Sequence, residues 1–123
     1  GGSMKPIIGD GVIITGSGDV LTFTHRDTFK ATAYCRTDEG GEYTSTGTRT
    51  RVGAIAVDPR VIPYGTRMFI VTNDGEYIYG VSTAEDCGGW IKNKRVDLYY
   101  PTMREVNKFG VREATIYILN ADE

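Results

Sequence analysis

The residues best equipped for chemistry fall in one stretch. Glu85-Asp86-Cys87-Gly88-Gly89-Trp90-Ile91-Lys92-Asn93-Lys94-Arg95-Val96-Asp97-Leu98-Tyr99-Tyr100 puts one acid at the end of an expected strand and another inside the next. A glycine pair and three cations, Lys92, Lys94 and Arg95, lie between them. Two carboxylates so arranged can do general acid and base work. Gly88-Gly89 leaves backbone N–H groups unscreened by side chains and lets a ligand approach the chain, which suits a polar, hydroxyl-rich substrate. Strand alternation puts Asp97 on one face with Arg95 and Tyr99, opposite Val96, Leu98 and Tyr100. The same residues also read without any chemistry: Asp97 and Arg95 as a surface ion pair, Asp86 as the cap of a turn.

Cys35 and Cys87 are the two cysteines of the chain. Joined, they would close a long loop worth about 4 kcal/mol on the chain-entropy estimate, in an oxidising compartment. Left free, they simply pack. A third reading makes Cys87 a nucleophile with His25, the single histidine, as its base. One histidine and two cysteines fall short of the usual four zinc ligands, so no metal is expected.

These groups need a scaffold, and the surrounding text reads mostly as strands punctuated by glycine. Strands are expected at Lys30 to Cys35, Ala54 to Val57, Arg67 to Val71, Tyr77 to Ala84, Arg95 to Tyr99 and Ala114 to Leu119, with a polar loop from Arg36 to Arg51. Asn73-Asp74-Gly75 is a hairpin turn, because its residues tolerate the positive φ such turns require. Val61-Ile62-Pro63-Tyr64-Gly65 is another turn. A helix is expected from Thr102 to about Phe109, with Thr102 and Glu105 as a capping box and Gly110 as its stop. Val12 to Ile14 and Val20 to Thr24, around Gly16-Ser17-Gly18-Asp19, form an N-terminal β-hairpin. The simplest architecture is a mainly β barrel with one or two short helices. Gly1-Gly2-Ser3-Met4 reads as a cloning scar. Residues 5–28 are then an arm or linker, 29–120 the main domain and 121–123 a tail.

The chain has 123 residues, room for one domain and not two. Hydrophobic residues at 40% and charged residues at 24% are near globular averages, which excludes general disorder. The net charge of -2 gives no electrostatic footprint for nucleic acid. No run approaches the roughly 20 apolar residues of a membrane span.

Several blocks carry a resemblance to a known family. They are Ala31-Thr32-Ala33-Tyr34, Thr46-Gly47-Thr48, Gly53-Ala54-Ile55-Ala56-Val57-Asp58-Pro59-Arg60-Val61-Ile62-Pro63-Tyr64-Gly65-Thr66, Glu85 to Gly89, and Ile91-Lys92 to Arg95-Val96-Asp97-Leu98-Tyr99. In that order, over about Phe29 to Asn120, they resemble the 3D domain, named for three aspartates. The family includes stationary-phase-survival muralytic proteins of Gram-positive bacteria and is related to the catalytic barrel of membrane-bound lytic transglycosylase A. Two departures stand out: Cys87 replaces a usual threonine, and Trp90-Ile91-Lys92-Asn93-Lys94-Arg95 replaces a usual A-I-K-G-x-R block.

The resemblance implies a six-stranded double-psi β-barrel and places the three aspartates at Asp58, Asp86 and Asp97. It implies a secreted, cell-wall-associated enzyme acting on peptidoglycan glycan strands without a cofactor. The bond cleaved would be the β-1,4 link between N-acetylmuramic acid and N-acetylglucosamine, with the muramyl 6-hydroxyl closing a 1,6-anhydro ring. Because that hydroxyl is already tethered, one carboxyl can serve as acid and then base, and Asp97 takes that role. Asp86 is expected close by, helping Asp97 to hold its proton, and Asp58 to hold the loop that positions both. Gly88, Gly89, Lys92, Tyr34, Thr46, Thr48 and Trp90 are the implied substrate contacts, Trp90 as an aromatic platform for a sugar ring. A hydrolase acting on the same bond and a noncatalytic glycan-binding module remain as alternatives.

Overall fold

A computed structural model describes residues 5–35 and 43–120. The expected scar, the tail and the first part of the polar loop lie outside the described residues. Eight strands and one helix follow in order: β1 (Ile7–Ile8), β2 (Val12–Ile14), β3 (Val20–Tyr34), β4 (Ala54–Ala56), β5 (Arg67–Thr72), β6 (Ile78–Asp86), β7 (Arg95–Tyr99), α1 (Met103–Phe109) and β8 (Arg112–Leu119).

Strands β3, β7, β4, β6, β5 and β8 are hydrogen-bonded in that order, and β8 pairs back onto β3. This closes a six-stranded barrel of the double-psi type and leaves it without a free edge. The pairs β3–β7 and β4–β6 are parallel, the others antiparallel. Alternation sends Phe29, Ala31, Ile55, Val57, Met68, Ile70, Ala84, Val96, Leu98, Ala114 and Ile116 inward, where they form the buried core. The outward faces of β3, β7, β4 and β6 carry the candidate site residues, whereas those of β5 and β8 are covered by a second apolar cluster.

Strand β3 is longer than expected. It runs unbroken from the hairpin into the barrel, through the junction expected at residue 29. The β1–β2–β3 extension is held against the outside of β5 and β8, where Ile13 and Leu21 pack on Phe69, Tyr117 and Leu119. Strand β6 also overruns its expected end at Ala84 and carries Glu85 and Asp86 inside the sheet.

The punctuation residues behave as their chemistry dictates. Gly75 takes φ 77° in the β5–β6 turn, and its N–H donates to Thr72 O. Thr102 caps α1 by accepting from Glu105 N, and Gly110 ends it at φ 65°. Among the described residues, no helix is long and apolar enough to cross a membrane.

Candidate functional site

The three aspartates lie on or beside the two central strand pairs, and each is held differently. In the register of β7 against β4, Asp97 faces Ala56. In that of β4 against β6, a one-residue shift brings Asp86 rather than Glu85 beside the same Ala56. Thr32 of β3 lies opposite Asp97 on its other side. Directly paired residues share a face. Thr32, Asp97, Ala56 and Asp86 therefore form one row across four strands, outside the core.

Asp97 is partly exposed, flanked by buried Val96 and Leu98. Thr32 Oγ1 donates to Asp97 Oδ1 at 3.0 Å and has Val96 O as a second acceptor at 3.4 Å. A cleft of about 460 Å³ opens here, lined by Thr32, Ala33, Trp90, Arg95, Asp97 and the edge of α1. Trp90 is 72% exposed at its rim, with the Arg95 guanidinium 5.0 Å from the ring centroid. Asp97 and the expected sugar platform thus share one cavity.

Asp86 is only 1% exposed. Its Oδ1 accepts from Ser45 Oγ at 2.7 Å, Ser45 N at 3.0 Å and Cys87 N at 2.9 Å. The expected close pairing with Asp97 is spaced out by β4, which puts their α-carbons about 10 Å apart, two inter-strand steps. Next to it, Glu85 accepts both Arg51 Nη1 at 2.8 Å and Nη2 at 2.6 Å, and also Thr48 Oγ1. That pairing holds the Glu85 carboxyl below its ordinary range. Thr48 bonds Thr44, and Thr46 N donates to Glu85 O, so Thr46 and Thr48 fasten their loop onto β6.

Asp58 is 2% exposed at the end of β4. It accepts from Arg60 Nε, Arg60 Nη2 and Arg60 N, and from Asn93 N at 2.9 Å. Arg60 and the Asn93 N–H hold its carboxyl well below the usual range. Asn93 stands where the family pattern has glycine and takes φ 59°, a conformation asparagine tolerates better than most side chains. Asp58 therefore ties the turn after β4 to the loop that leads into Asp97.

The cysteines are not joined. Both are free thiols, so the candidate bridge is absent. Cys35 Sγ lies 3.3 Å from Pro101 O, and Cys87 Sγ lies 3.4 Å from Ser45 Oγ. Ser45 and Tyr64 hydrogen-bond Cys87 and hold its thiol below the ordinary range, while the same contact pushes Tyr64 up to about 12. His25 is bonded instead to Thr24, at 3.3 Å. The structure does not assemble the Cys87–His25 dyad.

Of the remaining candidates, Gly88 has a packing reason to be glycine, since a Cβ there would come 3.0 Å from Ile91 Cγ1. Gly89 faces open space. Lys92 is exposed, with its charge near Cys87. Tyr34 Oη donates to Ala54 O at 3.2 Å, and its ring meets Tyr99 edge-on, so it braces the barrel. Sequence reasoning gave no role to Thr32, Ser45, Tyr64 or Glu85. Their partners are 65, 41, 23 and 34 or more positions away in the chain and become visible only once the strands are paired.

A closed double-psi barrel with carboxylates set across its central strands defines the class of protein. The chain belongs to the 3D domain family, whose model matches residues 53–120. It is 36% identical over 98 residues, 76% of this chain, to the "Cell wall-binding protein YocH" of Bacillus subtilis (strain 168). It is 31% identical over 120 residues, 87% of this chain, to that organism's "Putative cell wall shaping protein YabE". The chain spans 32% and 28% of the lengths of these curated relatives. Among solved structures, MltA from E. coli superposes with a TM-score of 0.56 at 22% identity, over 66% of this chain and 28% of that one. An apo form of a variant of the same E. coli lytic transglycosylase gives 0.54 at 21%, over 63% and 27%.

Proposed function

We propose that this chain is a cell-wall domain that cleaves peptidoglycan glycan strands as a lytic transglycosylase, outside the cell, with Asp97 as its acid and base. The observation that carries the reading is Asp97 itself: a partly exposed carboxylate at a cleft wall, steadied by a hydroxyl that serves both of its protonation states. Protonated Asp97 gives its proton to the glycosidic oxygen as the bond to the muramyl anomeric carbon breaks. The tethered 6-hydroxyl then attacks that carbon, and the Asp97 carboxylate takes its proton. One proton leaves and one returns, so the enzyme is regenerated without water. Thr32 Oγ1 can donate to Asp97 Oδ1 whether the carboxyl is ionised or carries its proton on Oδ2, the oxygen from which that proton would pass to the glycan.

The family membership, the E. coli lytic transglycosylase fold and the cell-wall names of the two B. subtilis relatives support this reading. The name "cell wall-binding" also favours a second one, in which the barrel holds glycan and turns nothing over. Mass spectrometry of purified sacculi treated with wild type and Asp97→Asn separates them. Release of 1,6-anhydro muropeptides by wild type and none by the variant supports the proposal. Products heavier by one water would replace it with hydrolysis. Equal binding by both proteins with no release would replace it with the noncatalytic module.

A further inference from the structure

We propose that Arg95 and Trp90 form a subsite for a carboxylate carried by the substrate beside the sugar cleaved at Asp97. The inference rests on the glycan-cleaving reading above and specifies which feature of the glycan the cleft recognises.

The first observation is an uncompensated cation. Arg51, Arg60 and Arg112 are each ion-paired, to Glu85, to Asp58, and to Asp74 and Glu76. Arg95 has no carboxylate partner among the described residues, and its Nε is buried without a hydrogen-bond partner. Buried donors in native proteins are nearly always satisfied, so Arg95, a residue of the cleft lining, has donor capacity that no described protein group takes up. An arginine cannot escape the problem by losing its proton.

The second observation is the stack. Arg95 lies over the Trp90 ring, 5.0 Å from its centroid, which fixes the plane of the guanidinium while Trp90 stays 72% exposed. A guanidinium held in this way is prepared for two parallel hydrogen bonds to a planar carboxylate.

The third is position. Arg95 and Asp97 are two residues apart on one strand and face, both lining the same cleft, with α-carbons roughly 7 Å apart. That step matches one sugar ring and its substituent. On a glycan cleaved at Asp97, the carboxylate within reach is that of the lactyl ether, or one on the peptide attached to it. Trp90 is also this chain's own departure from the small residue of the family pattern.

The test measures binding by calorimetry in the Asp97→Asn background, with three probes. They are a peptide-free peptidoglycan tetrasaccharide with free lactyl carboxylates, the same tetrasaccharide bearing stem peptides, and neutral chitotetraose. At least one carboxylate probe should bind about tenfold or more tighter than chitotetraose, the scale of a charge-assisted contact. The tighter of the two identifies the source of the carboxylate. Arg95→Gln should erase the preference, so that the three probes bind that variant alike, whereas Arg95→Lys should keep part of it. Trp90→Ala, at an exposed position where folding is not at stake, should also reduce the preference. Equal affinity for all three probes, no binding of any, or a preference that survives Arg95→Gln would overturn the subsite. Muropeptide release by the wild type is scored separately: a chain with the Arg95-dependent preference but no release loses the catalytic reading and keeps the subsite.

Discussion

Asp97 and Asp86 are paired with the same residue, Ala56, one from each side of strand β4. The two acids are thus held in one row by the buried central strand between them. Asp86 is committed to Ser45 and the loop it belongs to, whereas Asp97 opens onto the cleft. The proposed division of labour follows from burial: the enclosed carboxylate organises backbone, and the partly exposed one is assigned the proton exchange with substrate.

On the proposed mechanism Thr32, which donates to Asp97, is the positioning residue. Thr32→Val keeps the side-chain shape and the strand preference but deletes the hydroxyl that steadies Asp97. We expect kcat for muropeptide release to fall about 10- to 100-fold, with glycan affinity unchanged and Thr32→Ser restoring most of the loss. An equal fall in affinity, or no effect on kcat, would remove Thr32 from the mechanism.

Much of this arrangement is legible in the sequence, for physical reasons. Period-two alternation in Arg95 to Tyr99 shows which face Asp97 takes, and the turn chemistry of Asn73-Asp74-Gly75 and Thr102 to Gly110 marks element ends. What is not legible is long-range register. The insertion of β4 between β6 and β7 leaves no local composition signal, and so the expected distance between the two acids is too short; the bulge that selects Asp86 over Glu85 beside Ala56 is equally silent. The continuity of β3 is hidden likewise, because Thr24 to Thr28 is polar and owes its strand geometry to pairing with β8.

Asp58 links stability to pH. Its carboxyl is held below the ordinary value by Arg60 and by the Asn93 N–H. A depressed carboxylate stabilises the fold above the unfolded-state value, about 3.9, and that contribution is lost as pH falls below it. Asp58→Asn should lower Tm by about 5–10 °C at pH 7. The gap between variant and wild type should narrow as pH is lowered from 4 towards 2. Thermal melts across that window check it, and a gap that widens in acid would contradict the assignment.

Cys87 should be the more reactive thiol. Ser45 and Tyr64 hold it below the usual range, so more of it is thiolate near neutral pH. Iodoacetamide labelling followed by peptide mass mapping should modify Cys87 faster than Cys35, with the advantage growing as pH is lowered from 8.5 to 7. Cys87→Ser should still release muropeptides at a rate within about threefold of wild type, because the proposed proton transfer runs through Asp97. Complete loss of release in Cys87→Ser, with an unchanged Tm, would instead bring the thiol into the chemistry.

Ile13 tests whether the N-terminal hairpin and the barrel fold as one unit. It is fully buried, packed with Leu21 against Phe69, Tyr117 and Leu119 on the outer face of β5 and β8. Ile13→Ala removes buried methylene and methyl groups and leaves a cavity, which costs about 2–4 kcal/mol, a fall in Tm of roughly 10 °C. Since β3 belongs to both the hairpin and the barrel wall, that loss should appear as a single cooperative transition at lower temperature. An unshifted main transition with a separate early one would mean that the hairpin melts independently. The barrel would then stand without it, and the packing on Phe69 and Tyr117 would contribute nothing to the stability of the strands that carry Thr32 and Asp97.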